Sequence, residues 1–211
     1  MDGLNLYNLQ SCGACVLCGK DYPPGLQKPK QKVDGEGPLP CDIFLLGEAP
    51  GEEENKTGRP FVGMSGQFLR QCIRNTQIDK ARIRIGNTVR CRPPNNRVPE
   101  YEEKLACSAW LKMELDLARP QVIVALGGSA ISWFFGGYTL PKKSKVGTYV
   151  NKIFTYYAGV EPLMIPVVGS YHPAARMASQ RLQVEKALRL AGKIVGLDED
   201  NKVDYKLEIL W

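Results

Sequence analysis

Apolar residues gather in four short runs bounded by turn residues: "CDIFLLGE", "RIRIGNTVR", "QVIVALGG" and "PLMIPVVGSYH". Short apolar runs bounded in this way predict buried strands. Between them, "GQFLRQCIRNT", "YEEKLACSAWLKMELDLARP" and "ISWFFGG" carry apolar residues at helical spacing, and "RLQVEKALRLAGKIVGL" predicts a closing helix. Strands alternating with helices predict the α/β class: three layers, α/β/α, around a central four-stranded, mainly parallel sheet. "KSKVGTYVNKIFTYY" alternates in twos and predicts a two-stranded excursion before the fourth strand. "FLLGEAPGEEENKTGRPFVGMSG" leaves the first strand through glycines, prolines and carboxylates, with no helix expected before "GQFL". "DYPPGLQKPKQKVDGEGPLP" reads as a long surface loop.

Length adds that one core is the default, because 211 residues at 44% hydrophobic content suit a single domain, 1–211. Within it, 12–40 forms a cysteine-bearing segment and loop, and 198–211 a tail. No run of eighteen apolar residues occurs, and "MDGLNLYNLQ" lacks a signal-like start, so a soluble, cytoplasmic protein with no membrane span is expected. The net charge of +6 fits an ordinary basic protein as well as a polyanion binder.

Seven cysteines in such a chain point to metal rather than disulfides, since an odd count cannot pair completely and reducing compartments keep thiols free. "SCGACVLC" supplies Cys12, Cys15 and Cys18; "VRCRPPNNRVPEYEEKLACSAW" supplies Cys91 and Cys107. Four of these suit zinc or a [4Fe-4S] cluster, and the residues alone do not choose between the two. Cys41 and Cys72 read as small buried hydrophobes.

Ligands of open parallel α/β sheets bind beyond the carboxyl ends of the strands. Glu48 lies at the end of the first strand, Asn87 near the end of the second, "GGSA" after the third and His172 after the fourth. Each has an ordinary structural reading as a cap, a turn or a hydrogen-bonded core group. Their coincidence at strand ends favours a site, and His172 is the only histidine available for imidazole chemistry.

"GEAPGEEENKTGRPFVGMSG", "NTVRCRPPNNR" and "HPAA", in that order and framed by paired cysteines, resemble the family 4, iron-sulfur uracil-DNA glycosylases. The resemblance implies their fold, a [4Fe-4S] cluster, and a monofunctional hydrolase that leaves an abasic site in base excision repair. The family's cysteine pattern falls on Cys12, Cys15, Cys91 and Cys107, with Cys18 able to replace Cys12 if the pairing shifts by one turn. Glu48 matches the position that orients and deprotonates the attacking water, and His172 the donor to uracil O2. Phe61 matches the stacking platform and Asn87 the reader of the base edge. Glu54 matches the side chain set against C5 of the base, while Gly47 and Ala49 flank Glu48 in the same motif. Glu52 and Glu53 are expected to face solvent.

Arg90, Arg92, Arg97, Arg176 and Arg181 are candidate phosphate contacts, and Met177 is the candidate wedge in a loop that the family inserts into the minor groove. "GGSA" could bind a phosphate on backbone N–H groups or serve close helix packing. The partner expected is uracil-containing DNA, single- or double-stranded, approached by a monomer close to the nucleoid, with a sliding clamp as a further candidate. Three rivals remain in view: a covalently trapping relative, which needs a second histidine that this chain lacks, a non-catalytic metal-stapled DNA-binding protein of the same fold, and one further class. A related class without a carboxylate in the first motif is disfavoured by Glu48.

Overall fold

The computed structural model describes residues 12–18, 24–25, 29–136, 145–158, 163–175 and 177–197. Strands β1 (Ile43–Gly47), β2 (Ile83–Asn87), β3 (Val122–Leu126) and β5 (Leu163–Ser170) run parallel, and β4 (Ile153–Ala158) pairs antiparallel with β5 at one edge. The order is β2-β1-β3-β5-β4. The sheet therefore has five strands, one more than the apolar runs predict. Among its described residues, "KSKVGTYVNKIFTYY" forms a strand in its second half; Val146–Thr148 make a 3-10 turn, and Val150 contributes one bridge to Gly169. An edge strand with one partner keeps its two-residue alternation, which is why it resembled a separate hairpin rather than part of the sheet.

The two faces of the strands bury different residues. Ile43, Leu45, Val122, Val124 and Val168 face helices α2 (Met64–Thr76) and α5 (Ala178–Ile194). Phe44, Leu46, Ile123, Ala125 and Val167 face α3 (Tyr101–Ala118) and α4 (Gly128–Trp133). Burying both faces is what a near-continuous apolar strand requires. Cys41 and Cys72 lie in these cores, where burial pushes their thiols up to about 12 and about 11.

Two segments depart from the sequence reading. The acidic stretch forms a helix, α1 (Glu52–Thr57): the Glu54 carboxylate reaches back to the Gly51 N–H, and three glutamates occupy the first turn, where the helix end is positive. Gly58, with φ of 73°, ends it by returning its N–H to Glu54 O. The expected surface loop is anchored over its described second half. Glu36 exchanges both backbone hydrogen bonds with Ile85, Val33 N–H donates to Arg90 O, and Lys30 N–H donates to Asn55 Oδ1. This strap covers the outer edge of β2, whose backbone groups would otherwise be unpaired. The candidate tail, 198–211, lies outside the described residues.

Candidate active site

The parallel strands all end on one side, and Gly47 pairs with Asn87 in the register of β1 and β2. A cleft of about 560 Å³ opens there, lined by Glu48, Ala49, Glu54, Phe61, Asn87 and His172 among others. Its size suits a small ligand. The structure thus gathers the carboxylate, the amide and the imidazole expected at three strand ends. Gly47 allows the convergence: a Cβ there would lie 2.4 Å from Phe61 Cζ and 2.5 Å from Asn87 Oδ1.

Asn87 is 2% exposed, and its Oδ1 has no hydrogen-bond partner among the described residues. A buried acceptor left unmade costs about 1–3 kcal/mol, so this atom is set for a donor carried by a ligand. Phe61 stands beside it at a positive φ of 54°, a strained backbone state for an aromatic residue. Several contacts hold it there. Glu54 Oε1 accepts the N–H groups of Val62 and Gly63 at 2.8 and 2.7 Å, while Oε2 accepts that of Gly51 at 3.0 Å. Arg70 donates to Phe61 O at 3.2 Å and to Pro60 O at 3.3 Å. Gly66 of α2 packs under the turn, where a Cβ would meet Phe61 O at 1.9 Å. The glycines of "GRPFVGMSG" beside Phe61 are thus sites of close approach.

His172 accepts a 3.1 Å hydrogen bond from the Ala174 N–H on Nδ1, which leaves the proton of the neutral ring on Nε2. Burial lowers its pKa and favours that neutral form. The ring centroid is 6.4 Å from that of Phe61. Gly127, with φ of 91°, lets the β3 end pass close, since a Cβ would lie 2.9 Å from His172 Cβ.

Glu48 is held through its carbonyl, which accepts from Thr88 Oγ1 at 2.6 Å and Val89 N–H at 3.3 Å. Burial raises its carboxyl pKa, against the opposing pull of Ser129 and Lys104. The Ser129 hydroxyl has no partner of standard hydrogen-bond geometry among the described residues, so its influence on Glu48 is that of a nearby dipole. Lys104, 6% exposed, is itself shifted down by burial against the attraction of Glu48. Ser129 entered the sequence reading only as part of "GGSA", and Lys104 did not enter it. The available signal was helical spacing: Lys104, Cys107, Leu111 and Glu114 recur at three and four on the inward side of α3, where a charge needs a buried partner.

The basic and acidic candidates separate. Glu52 and Glu53 are exposed and pair with Lys56. Arg92 bonds Asn96 Oδ1 at 2.7 Å, and Arg97, at the cleft, holds both oxygens of Glu103 at 2.8 and 2.6 Å. Arg181 lies 4.8 Å over the Phe68 ring. Met177 is exposed at the N-cap of α5, while Arg176 lies outside the described residues. Arg90 corrects its reading as a phosphate contact: it is 2% exposed and pairs with Glu114, which also binds Arg84 Nε at 2.6 Å.

Cys12, Cys15, Cys18, Cys91 and Cys107 line one narrow cavity between the N-terminal segment and α3. Cys18 Sγ lies 4.0 Å from that of Cys12 and 3.8 Å from that of Cys15. Burial raises the Cys15 thiol to about 12 and also raises those of Cys91 and Cys107; for Cys18, hydrogen bonds from Cys15 and Cys12 outweigh burial and lower it. Crowded thiols that resist ionisation become good ligands once a cation is present, because the cation supplies the missing countercharge. Among the described residues, no three side chains already stand as a preformed single-ion site. Five soft donors around one cavity fit a larger thiolate-bound group, and Cys12 and Cys18 both remain within reach of it.

Comparison with known sequences agrees with this geometry. Residues 35–191 match the pattern of the uracil DNA glycosylase superfamily. A type-4 uracil-DNA glycosylase of Thermotoga maritima is 50% identical over 142 residues, 67% of this chain and 69% of that protein. Its counterpart in Saccharolobus solfataricus is 39% identical over 181 residues, 84% and 78% of the two chains. That of Archaeoglobus fulgidus is 31% identical over 201 residues, 93% and 94%. With the strand-end cleft and these similarities together, the chain belongs to the uracil DNA glycosylase superfamily, among its type-4 enzymes.

Proposed function

We propose that the protein excises uracil from DNA by hydrolysing the N-glycosidic bond, and that Glu48, Asn87, His172 and Phe61 carry the reaction. The observation that carries the reading is the buried, unpartnered Asn87 Oδ1 beside the Phe61 ring. A target nucleotide swings out of the helix and its base enters the cleft. Asn87 Oδ1 accepts from uracil N3–H, and Nδ2 donates to O4; cytosine presents an acceptor and a donor at those atoms and leaves both protein groups unpaired. Phe61 stacks on the base. Glu54, tied by three backbone N–H groups, forms a wall that cannot yield to a thymine methyl.

The bond between C1′ and N1 then breaks, leaving its electron pair on the uracil ring and positive character on the sugar. Neutral His172 donates from Nε2 to O2, where negative charge develops only in the transition state. Glu48 orients a water toward C1′, accepts its proton, and favours the cationic sugar by charge. No lysine nucleophile takes part, so the strand stays intact.

The cysteine cavity holds a [4Fe-4S] cluster in this reading, through Cys91, Cys107, Cys15 and either Cys12 or Cys18. When bound, it ties the N-terminal segment to the 91–107 loop and α3, which shapes the cleft side bearing Arg97. Arg92, Arg97, Arg176 and Met177 contribute backbone and groove contacts to DNA.

The test uses oligonucleotides that carry uracil, cytosine or thymine at one site, scored for alkali-labile abasic sites. The parent cleaves only the uracil strand, and Asn87→Asp loses about 100-fold or more while its preference for uracil over cytosine narrows. Unchanged discrimination in that variant would remove Asn87 from base reading.

A further inference from the structure

Beneath the cysteine cavity lies a charged group that the excision chemistry does not use. Arg84, Arg90 and Glu114 are 5%, 2% and 6% exposed, and the one carboxylate serves both guanidiniums. Arginine stays protonated in a folded protein, so among the described residues two cations against one anion leave one excess positive charge in the core. Arg90 Nη1 has no hydrogen-bond partner among the described residues. Such a residue is costly unless something anionic lies nearby. Asp34, at the far side, is exposed to solvent and screened. Glu103, which also lines the cysteine cavity, is taken up by Arg97. Lys32 adds a second cation at the cavity wall. Arg90 lines both this charged pocket and the cysteine cavity, and it immediately precedes Cys91.

We propose that the buried Arg84–Glu114–Arg90 group is the internal counter-charge of the iron-sulfur cluster, favouring its retention and raising its reduction potential. The inference rests on the cluster reading above. A [4Fe-4S] core of charge 2+ with four thiolates is a net dianion, and one electron from dithionite makes it a trianion with no bond broken. A fixed positive charge at close range stabilises the more negative state, and net charge and burial are among the settings of such potentials. Glu114 holds Arg90 in place and at the same time weakens its field.

The two ends of the group therefore act with opposite signs. In the holoprotein, Arg90→Gln removes a positive charge and lowers the midpoint potential by on the order of tenfold in the reduction equilibrium, about 59 mV for a one-electron couple. Glu114→Gln removes the negative charge and raises it. Arg90→Lys restores most of the lost potential, and Arg90→Gln loses its visible absorbance to an iron chelator faster than the parent. A role in packing alone would loosen the fold in both Gln variants without moving the potential in opposite directions. If Arg90→Gln does not retain a cluster, the Glu114→Gln potential decides: a rise supports the assignment and an unchanged value overturns it. Parent protein with iron and sulfide bound, but potentials that move together or not at all, overturns the counter-charge alone. Parent protein prepared without oxygen that contains no iron and sulfide overturns the cluster reading and this inference with it.

Discussion

At the scale of single residues, the site is a set of groups held in states they would not adopt in water. Burial raises the carboxyl pKa of Glu48 and lowers that of His172, and each shift has a function in the proposed reaction. Glu48 must be ionised to take a proton, so kcat/KM falls on the acid side at a pH above the ordinary glutamate value of about 4.3. A pH–rate profile with its acid limb at or below that value would contradict the burial argument. Stability moves the other way. A carboxyl whose folded pKa is raised contributes stability that is fully present below the unfolded pKa and is lost as pH rises through the folded one. Glu48→Gln is therefore expected to melt higher than the parent at about pH 7.5 and to lose that advantage at about pH 4, as calorimetry at the two pH values would show.

At the scale of elements, the short helix α1 and the turn after it act as one clamp. Glu54 lies in the third position of α1, yet its carboxylate binds the N–H groups of Val62 and Gly63 across the turn. This couples the end of β1, where Glu48 sits, to the strained Phe61. Glu54→Ala leaves three backbone donors without their acceptor and is expected to cost about 2 kcal/mol or more in urea unfolding, with a raised KM as Phe61 loosens. Glu54→Gln keeps an acceptor oxygen and falls between. Equal stability of Glu54→Ala and the parent would show that water satisfies those donors. None of this clamp was legible in the sequence: "GEEEN" identifies acids, but which backbone groups they meet depends on a turn folded from residues seven to nine positions later. Strand ends were legible because apolar runs stop sharply at turn residues, and that sufficed to place Glu48, Asn87 and His172 on one rim.

At the scale of the whole molecule, the sheet brings the rim together while α3 joins two functions. Its inward side carries Lys104 beside Glu48, then Cys107, then Glu114 in the buried charged group. The alternation of strands and helices made this architecture readable, and the family motifs made the chemistry readable. The fifth strand, the anchored strap over β2 and the inward Arg90 were not readable, because each is decided by which neighbour an edge or side chain meets after folding. The central claim is that one carboxylate and one imidazole at this rim perform the excision. Single-turnover release of uracil from a duplex, by the parent and by Glu48→Ala and His172→Ala, tests it most directly. Both variants are expected to fall by on the order of 100- to 1000-fold while they keep the parent's fold. Parental rates in either variant would contradict the assignment of that residue, and parental rates in both would place the chemistry elsewhere.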